Sequence, residues 1–186
     1  MEHYQPGQRM SYSARVVASA SSTASWMASL QAVPGRPARI LAWAAGSDEP
    51  GGGTFCIGSP AVLSTGGVSG WQHVGWHLIE RGGWNAELRQ LSWVQVDGRR
   101  GAVHLDRPGR LPELFRERVE ATIVVRQFVP LAGERGVTVS ARRDLAPGGG
   151  LDWHTSLTRG LSLQSEAVQA AVEDALAAIR AEYDMR

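Results

Sequence analysis

The chain has 186 residues, 43% of them hydrophobic and 20% charged, with 19 basic against 18 acidic residues and a formal net charge of +1. That length accommodates one core without metal or disulfide staples, and the near-neutral balance argues against a general nucleic-acid or membrane-surface binder. No apolar run approaches the roughly 18 residues that a membrane-spanning helix needs.

In chain order, residues 1–13 are polar and without period, and read as a frayed tail. Ala14–Ala32 sets Val16, Val17, Trp26, Met27 and Leu30 among Ala and Ser, so a helix is possible there, although Ser and Thr are mediocre helix formers. Serines interrupt this stretch too often for the apolar region of a cleavable signal. Pro34, Gly35 and Pro37 end it.

Strand signals follow. Arg39–Ala45 carries Leu41 and Trp43 on one face and Ile40 on the other. Thr54–Ile57 and Ala61–Ser64 are short apolar runs on either side of Gly58-Ser59-Pro60. Trp71–Ile79 alternates Val74, Trp76 and Leu78 against His73 and His77, which predicts one continuous strand. Leu91–Val96 and Gly101–Leu105 flank Asp97-Gly98, a two-residue signal for a tight hairpin.

The period then changes. Leu111, Leu114, Phe115, Val119, Thr122 and Ile123 fall at helical spacing, with Pro112 suited to a first turn. Val125–Leu131, Val137–Arg143 and Leu151–Leu157 read as strands. Ser165 can cap a last helix to about Tyr183, whose apolar stripe is Val168, Val172, Ala175, Leu176, Ile179 and Tyr183. Consecutive strands joined by short turns imply antiparallel sheet and an α+β fold.

Several constellations could carry chemistry. All 19 basic residues are arginine, which removes Schiff-base and pyridoxal-phosphate enzymes, phosphate loops of the Walker type and Ser-x-x-Lys acylases, since each needs a lysine amine. His73 and His77, followed by Glu80, have the i,i+4 spacing that grips a metal on a helix. On a strand the same residues stand about 13 Å apart, too far for one ion, so two half-exposed strand histidines are expected. Asp152, His154 and Ser156 supply the residue types of a nucleophilic triad, but i,i+2 side chains on a strand are about 6.6 Å apart and cannot hydrogen-bond in series. A polar solvent face is the better reading.

Cys56 is the one cysteine, which excludes an internal disulfide and a cysteine-rich zinc cage and fits a reducing cytoplasm. Between Phe55 and Ile57 it reads as a small buried residue more than as a nucleophile. The triple-glycine stretches 51–53 and 148–150 read as turns, because neither opens onto a helix with phosphate-loop spacing. Of seven tryptophans, Trp43, Trp76 and Trp93 fall in an apolar register and are expected in the core, while Trp71 and Trp84, beside glycines, are expected to reach the surface.

Charge is unevenly spread. Residues 99–143 hold ten arginines against five acids, a net of +5, and residues 144–186 hold three against seven, a net of −4. An arginine cluster favours phosphate or carboxylate, so Arg99, Arg100, Arg142 and Arg143, with Trp71 and Trp84, are the candidate ligand-binding residues. The competing account is neutralisation by the acidic last helix, within the fold or across a homodimer, with Glu113/Arg116 and Arg116/Glu120 spaced to pair on their own helix.

The segment Arg110–Val124, followed by Phe128-Val-Pro-Leu and Gly136–Arg143, together with Ile40-Leu-Ala-Trp-Ala and Trp76–Trp84, resembles an uncharacterised family of small cytoplasmic proteins from high-GC Gram-positive bacteria. The likeness covers residues 39–183 and departs from the family at Gly58-Ser59-Pro60. It implies a pleckstrin-homology-like strand arrangement and brings no catalytic motif.

The expectation is therefore an antiparallel, barrel-like sheet capped by a helix over residues 36–124, then a three-stranded meander and terminal helix over 125–186. A Ser/Ala-rich extension covers 1–35. The expected role is a non-enzymatic cytoplasmic binding or scaffold protein with a protein partner or a second copy of itself, and with no cofactor, metal or membrane. The first alternative is a small hydrolase or metal enzyme using His73, His77, Glu80 or His154. The second is a weak nucleic-acid or anionic-ligand binder working through the arginine-rich middle.

Overall fold

A computed structural model describes residues 12–31, 38–46, 53–67 and 70–184. The fold is α+β, with three helices and three antiparallel sheets among these residues. Helix α1 spans Tyr12–Gln31. Sheet one contains β1 (Ala42–Ala45), β2 (Phe55–Gly58), β3 (Val62–Gly67) and β4 (Gly70–Gly75) in chain order. Sheet two contains β5 (Ile79–Asn85), β6 (Gln90–Gln95) and β7 (Arg100–His104). Helix α2 (Leu111–Thr122) leads straight into β8 (Ile123–Ala132), which pairs with β9 (Arg135–Arg143), and β9 with β10 (Leu151–Leu157). Helix α3 spans Glu166–Asp184. The expected barrel is not closed among the described residues, because β1–β4 and β5–β7 remain separate sheets.

One core lies between sheets one and two and under α2, where Cys56, Leu63, Trp76, Ile79, Leu91, Trp93, Val103, Leu105, Leu111, Leu114 and Phe115 are all buried. Helix α2 enters it with Leu111, Leu114 and Phe115, the i, i+3, i+4 stripe that its sequence presents. The Asp97-Gly98 hairpin forms as expected. Gly98 takes φ 84°, which glycine adopts without steric cost, and its N–H donates to the Gln95 carbonyl.

The predicted strand Trp71–Ile79 is broken in two. Trp76–Leu78 form one turn of 3-10 helix that carries the chain from sheet one to sheet two. The strand pattern fails there because the Trp76 indole is wholly buried and its Nε1–H donates to the Ser59 carbonyl at 2.9 Å. A buried Trp with a satisfied N–H outweighs two positions of ladder alternation.

A second cluster lies on the outer side of sheet one. Trp26 and Leu30 of α1 pack there on Ile57, Ala61 and Val62. Helix α1 is held by polar contacts too: Trp71 Nε1–H donates to Ser25 Oγ at 3.2 Å. Ser25, one of the serines that weaken its intrinsic propensity, is therefore one of the groups that dock it. Trp43 corrects a second expectation, because its side is the outer one. It is 51% exposed while its neighbour Ala44 is buried.

The third cluster joins α3 to the β8–β10 sheet through Val137, Val139, Val172, Ala175 and Ile179, with Val168, Leu176 and Trp153 at its border. Trp153 stacks edge-on with Tyr183 at 6.0 Å and lies under the Arg180 guanidinium at 5.4 Å. The acidic helix thus rests on the arginine-bearing sheet within one chain.

Candidate functional site

The six residues expected to bind ligand do not converge. Arg99 folds back on its own hairpin, its Nε–H donating to Asp97 Oδ2 at 2.6 Å, and hydrogen bonding from Arg99 holds the Asp97 carboxyl below its ordinary range. Arg100 opens β7 and is exposed. Arg143 is exposed on β9, while its neighbour Arg142 is withdrawn from solvent. Arg142 donates from Nη1 to Thr122 Oγ1 and from Nη2 to the Glu80 carbonyl, both at 3.0 Å. Burial pushes its pKa below the usual arginine value. This side chain ties β9 to the end of α2 and the start of β5. Trp71 and Trp84 are only half-exposed, Trp71 against α1 and Trp84 against the main core.

The two histidines also part company. His77 is buried on the 3-10 turn, not half-exposed on a strand. Its ring folds over Gly75, where an added Cβ would meet Cε1 at 2.5 Å, so only glycine admits this rotamer. Nδ1 lies 3.5 Å from Asp144 Oδ1 and Nε2 lies 3.5 Å from Asp152 Oδ2. Asp152 therefore meets a histidine after all, but one from another element. Asp152, His154 and Ser156 lie on β10 opposite Arg142, Ser140 and Thr138, and the long-range partner of Asp152 is invisible to spacing within one strand.

His73, half-buried on β4, sits between two serines: Ser64 Oγ at 2.8 Å from Nδ1 and Ser29 Oγ at 3.0 Å from Nε2. It links sheet one to α1. Among the described residues no three His, Cys, Asp or Glu side chains gather in a group that could hold a metal ion. Cys56 is fully buried, and burial pushes its thiol up to about 12. A thiol so raised is protonated at neutral pH and is no nucleophile.

Desolvation lowers the pKa of both His73 and His154 below 6.5. For His154 the nearby Asp152 opposes that shift and Arg142 adds to it. A histidine whose folded pKa is depressed favours folding while neutral. Its contribution is present above the unfolded pKa and is lost as pH falls towards the folded value. Stability measured by urea unfolding is expected to decline from pH 7 to pH 5, and less steeply in His73→Gln, whose amide does not titrate. Equal declines in the two proteins would refute a role for His73.

A recess with mixed chemistry, a groove of about 610 Å³, lies between α2 and β5. Five consecutive β5-side residues, Glu80–Trp84, line one wall. Beyond β6 on one side, β5 pairs with no other strand among the described residues, so from Arg81 onward that wall is an edge without a strand partner, the Glu80 carbonyl being taken by Arg142. The other wall is the α2 face that carries Pro112, Arg116, Val119 and Glu120, continued by Ile123 and Arg126 of β8. These helix positions recur at three- and four-residue spacing, so they form one stripe beside the stripe that enters the core. Arginines and glutamates share the rim, and Trp84, Phe115, Val119 and Ile123 make the apolar floor. Of this set the sequence offered Trp84 as a ligand-binding candidate and Glu80 only beside His73 and His77, because the other wall exists only once α2 crosses sheet two. No protein-family model matches the chain, and no curated protein or solved structure matches it at a significant level.

Proposed function

We propose that the protein is a non-enzymatic binding module of pleckstrin-homology-like architecture that holds an extended segment of a partner protein in the α2/β5 groove. The sheet order supports the architectural part: four strands, then three, then a helix across them, as the family resemblance implies. The observation that carries the functional part is the free β5 edge facing the α2 stripe across a recess. An unpaired strand edge offers main-chain donors and acceptors to an added strand, and side-chain pockets beside it choose among sequences. The occupant is an extended peptide with apolar residues at alternate positions, which would lie on Val119 and Ile123.

The test is selection of peptides on the immobilised full chain from a random library, followed by amide-shift mapping with a selected peptide. Shifts centred on Gly82, Gly83 and Trp84, with binding weakened about tenfold or more by Val119→Glu, are expected. Shifts elsewhere, or binding indifferent to Val119→Glu, would overturn the reading. A second copy of the chain is the competing occupant and would appear as a concentration-dependent mass in sedimentation equilibrium.

A further inference from the structure

The outer face of the β5–β7 sheet, away from the core, is organised by strand register into three cross-strand rows. Gly83, Ser92 and Ala102 form the middle row, and none carries more than a hydroxymethyl group. The sheet is hollow there, with a recess of about 610 Å³, within the ~300–1,000 Å³ typical of small-molecule sites. The row beside it places Arg81 on β5 and Arg100 on β7, one on each side of Val94. Both arginines are exposed and both line the recess.

Two strand spacings put their Cα atoms about 10 Å apart, so the two long side chains can close over Val94 onto a single group. Neither forms an ion pair among the described residues, and the acid of the adjacent turn, Asp97, is already held by Arg99. On the far side of the hollow, Gln90 and His104 contact each other at 3.1 Å and form a polar rim. Two exposed guanidiniums without an ion-pair partner, bordering a recess with a serine hydroxyl in its floor, match a phosphate group. Each can donate a planar pair of N–H groups to its oxygens.

We propose that this hollow binds the phosphate group of a small phosphorylated molecule between Arg81 and Arg100, with the remainder of that molecule lying across Ser92. The site adjoins the α2/β5 groove and shares Arg81, Gly82 and Gly83 with it, but Ser92, Arg100 and Ala102 belong to the hollow alone.

Pyrophosphate titrated into the full chain at low ionic strength, followed by amide shifts, tests this. Shifts at Gly83, Ser92 and Ala102 are expected, with affinity falling about tenfold or more in Arg100→Gln. Ala102→Leu, which fills the floor and leaves the charge unchanged, should weaken binding as well. Arg143→Gln, on a different sheet, should not. Thermal unfolding of each variant confirms that the fold is kept.

A second arm uses sedimentation of phosphatidylserine-containing vesicles. Vesicle binding lost in Arg100→Gln, without pyrophosphate binding, would assign the phosphate to a lipid headgroup and overturn the soluble ligand. No shift at tens of millimolar pyrophosphate together with no vesicle binding would overturn the site. So would equal weakening by Arg100→Gln and Arg143→Gln, since general charge attraction would then suffice.

Discussion

Trp76→Ala is expected to lower stability by about 4 kcal/mol, the upper part of the range for deleting a buried aromatic ring. Three losses add up at this site. The ring is 0% exposed, so its apolar area and the contacts around it are removed together, and the surrounding core cannot collapse fully into the space. Its edge-on packing on Phe115, at 5.9 Å and 79°, is lost as well. Lastly, the Ser59 carbonyl loses the indole donor. For a chain of this size such a change lowers the melting temperature by on the order of 10 °C. Trp76→Phe, which keeps much of the volume but not the N–H, should cost about half as much. Urea unfolding of the three proteins decides it. An Ala variant within about 1 kcal/mol of the parent would show that the 3-10 turn and its tryptophan are not the keystone of the two-sheet core.

Arg142→Ala is expected to cost about 3 kcal/mol, by a different mechanism. Burying a guanidinium is expensive, and this one meets neutral oxygens, the Glu80 carbonyl and the Thr122 hydroxyl, with no carboxylate in hydrogen-bonding contact. The cost of desolvating the cation is therefore large, but alanine does not simply recover it. Alanine leaves a cavity and takes away the donor shared by the part-buried Glu80 carbonyl and the Thr122 hydroxyl. Arg142→Met removes the same donor but fills the cavity, so its loss should be the smaller of the two.

The position of this residue makes the effect directional. Arg142 joins β9 to β5 and to the end of α2, so hydrogen exchange should speed up at the start of β5 and in β9 before it does in the β2–β3 core. The His77 contacts with Asp144 and Asp152 hold the same junction and should limit the opening in Arg142→Met. Exchange that rises evenly over all three sheets would contradict this placement of the joint.

The elements that sequence periodicity described best are those whose stabilising face is local. Helix α3 shows its stripe at Val168, Val172, Ala175, Leu176 and Ile179, and all of them meet the β8–β10 sheet. Helix α2 and the β6–β7 hairpin follow from helical spacing with Pro112 and from Asp97-Gly98. In each case the signal lies within one turn or one ladder period. The failures share one cause, which is that a side chain's environment is set by elements far away in the chain. Trp43 alternates like a core residue, but which face of β1 points inward depends on sheet two and α2. The break at Trp76 depends on Ser59, seventeen residues earlier.

The same division holds for the candidate sites. The sequence by itself determined the class of chemistry: no lysine amine, one cysteine, and an excess of arginine in the middle of the chain. Only the tertiary structure decided which arginines are available. Arg142 is enclosed where β9 meets the end of α2 and the start of β5, at the Thr122 hydroxyl and the Glu80 carbonyl, and Arg99 is occupied because a tight turn brings Asp97 beside it. Arg81 lies nineteen residues before Arg100 and comes beside it only through two antiparallel registers. Residue type records what a side chain can bind, and that much is local. Its freedom to bind depends on burial and on the charges folded next to it, which are set by contacts between distant parts of the chain.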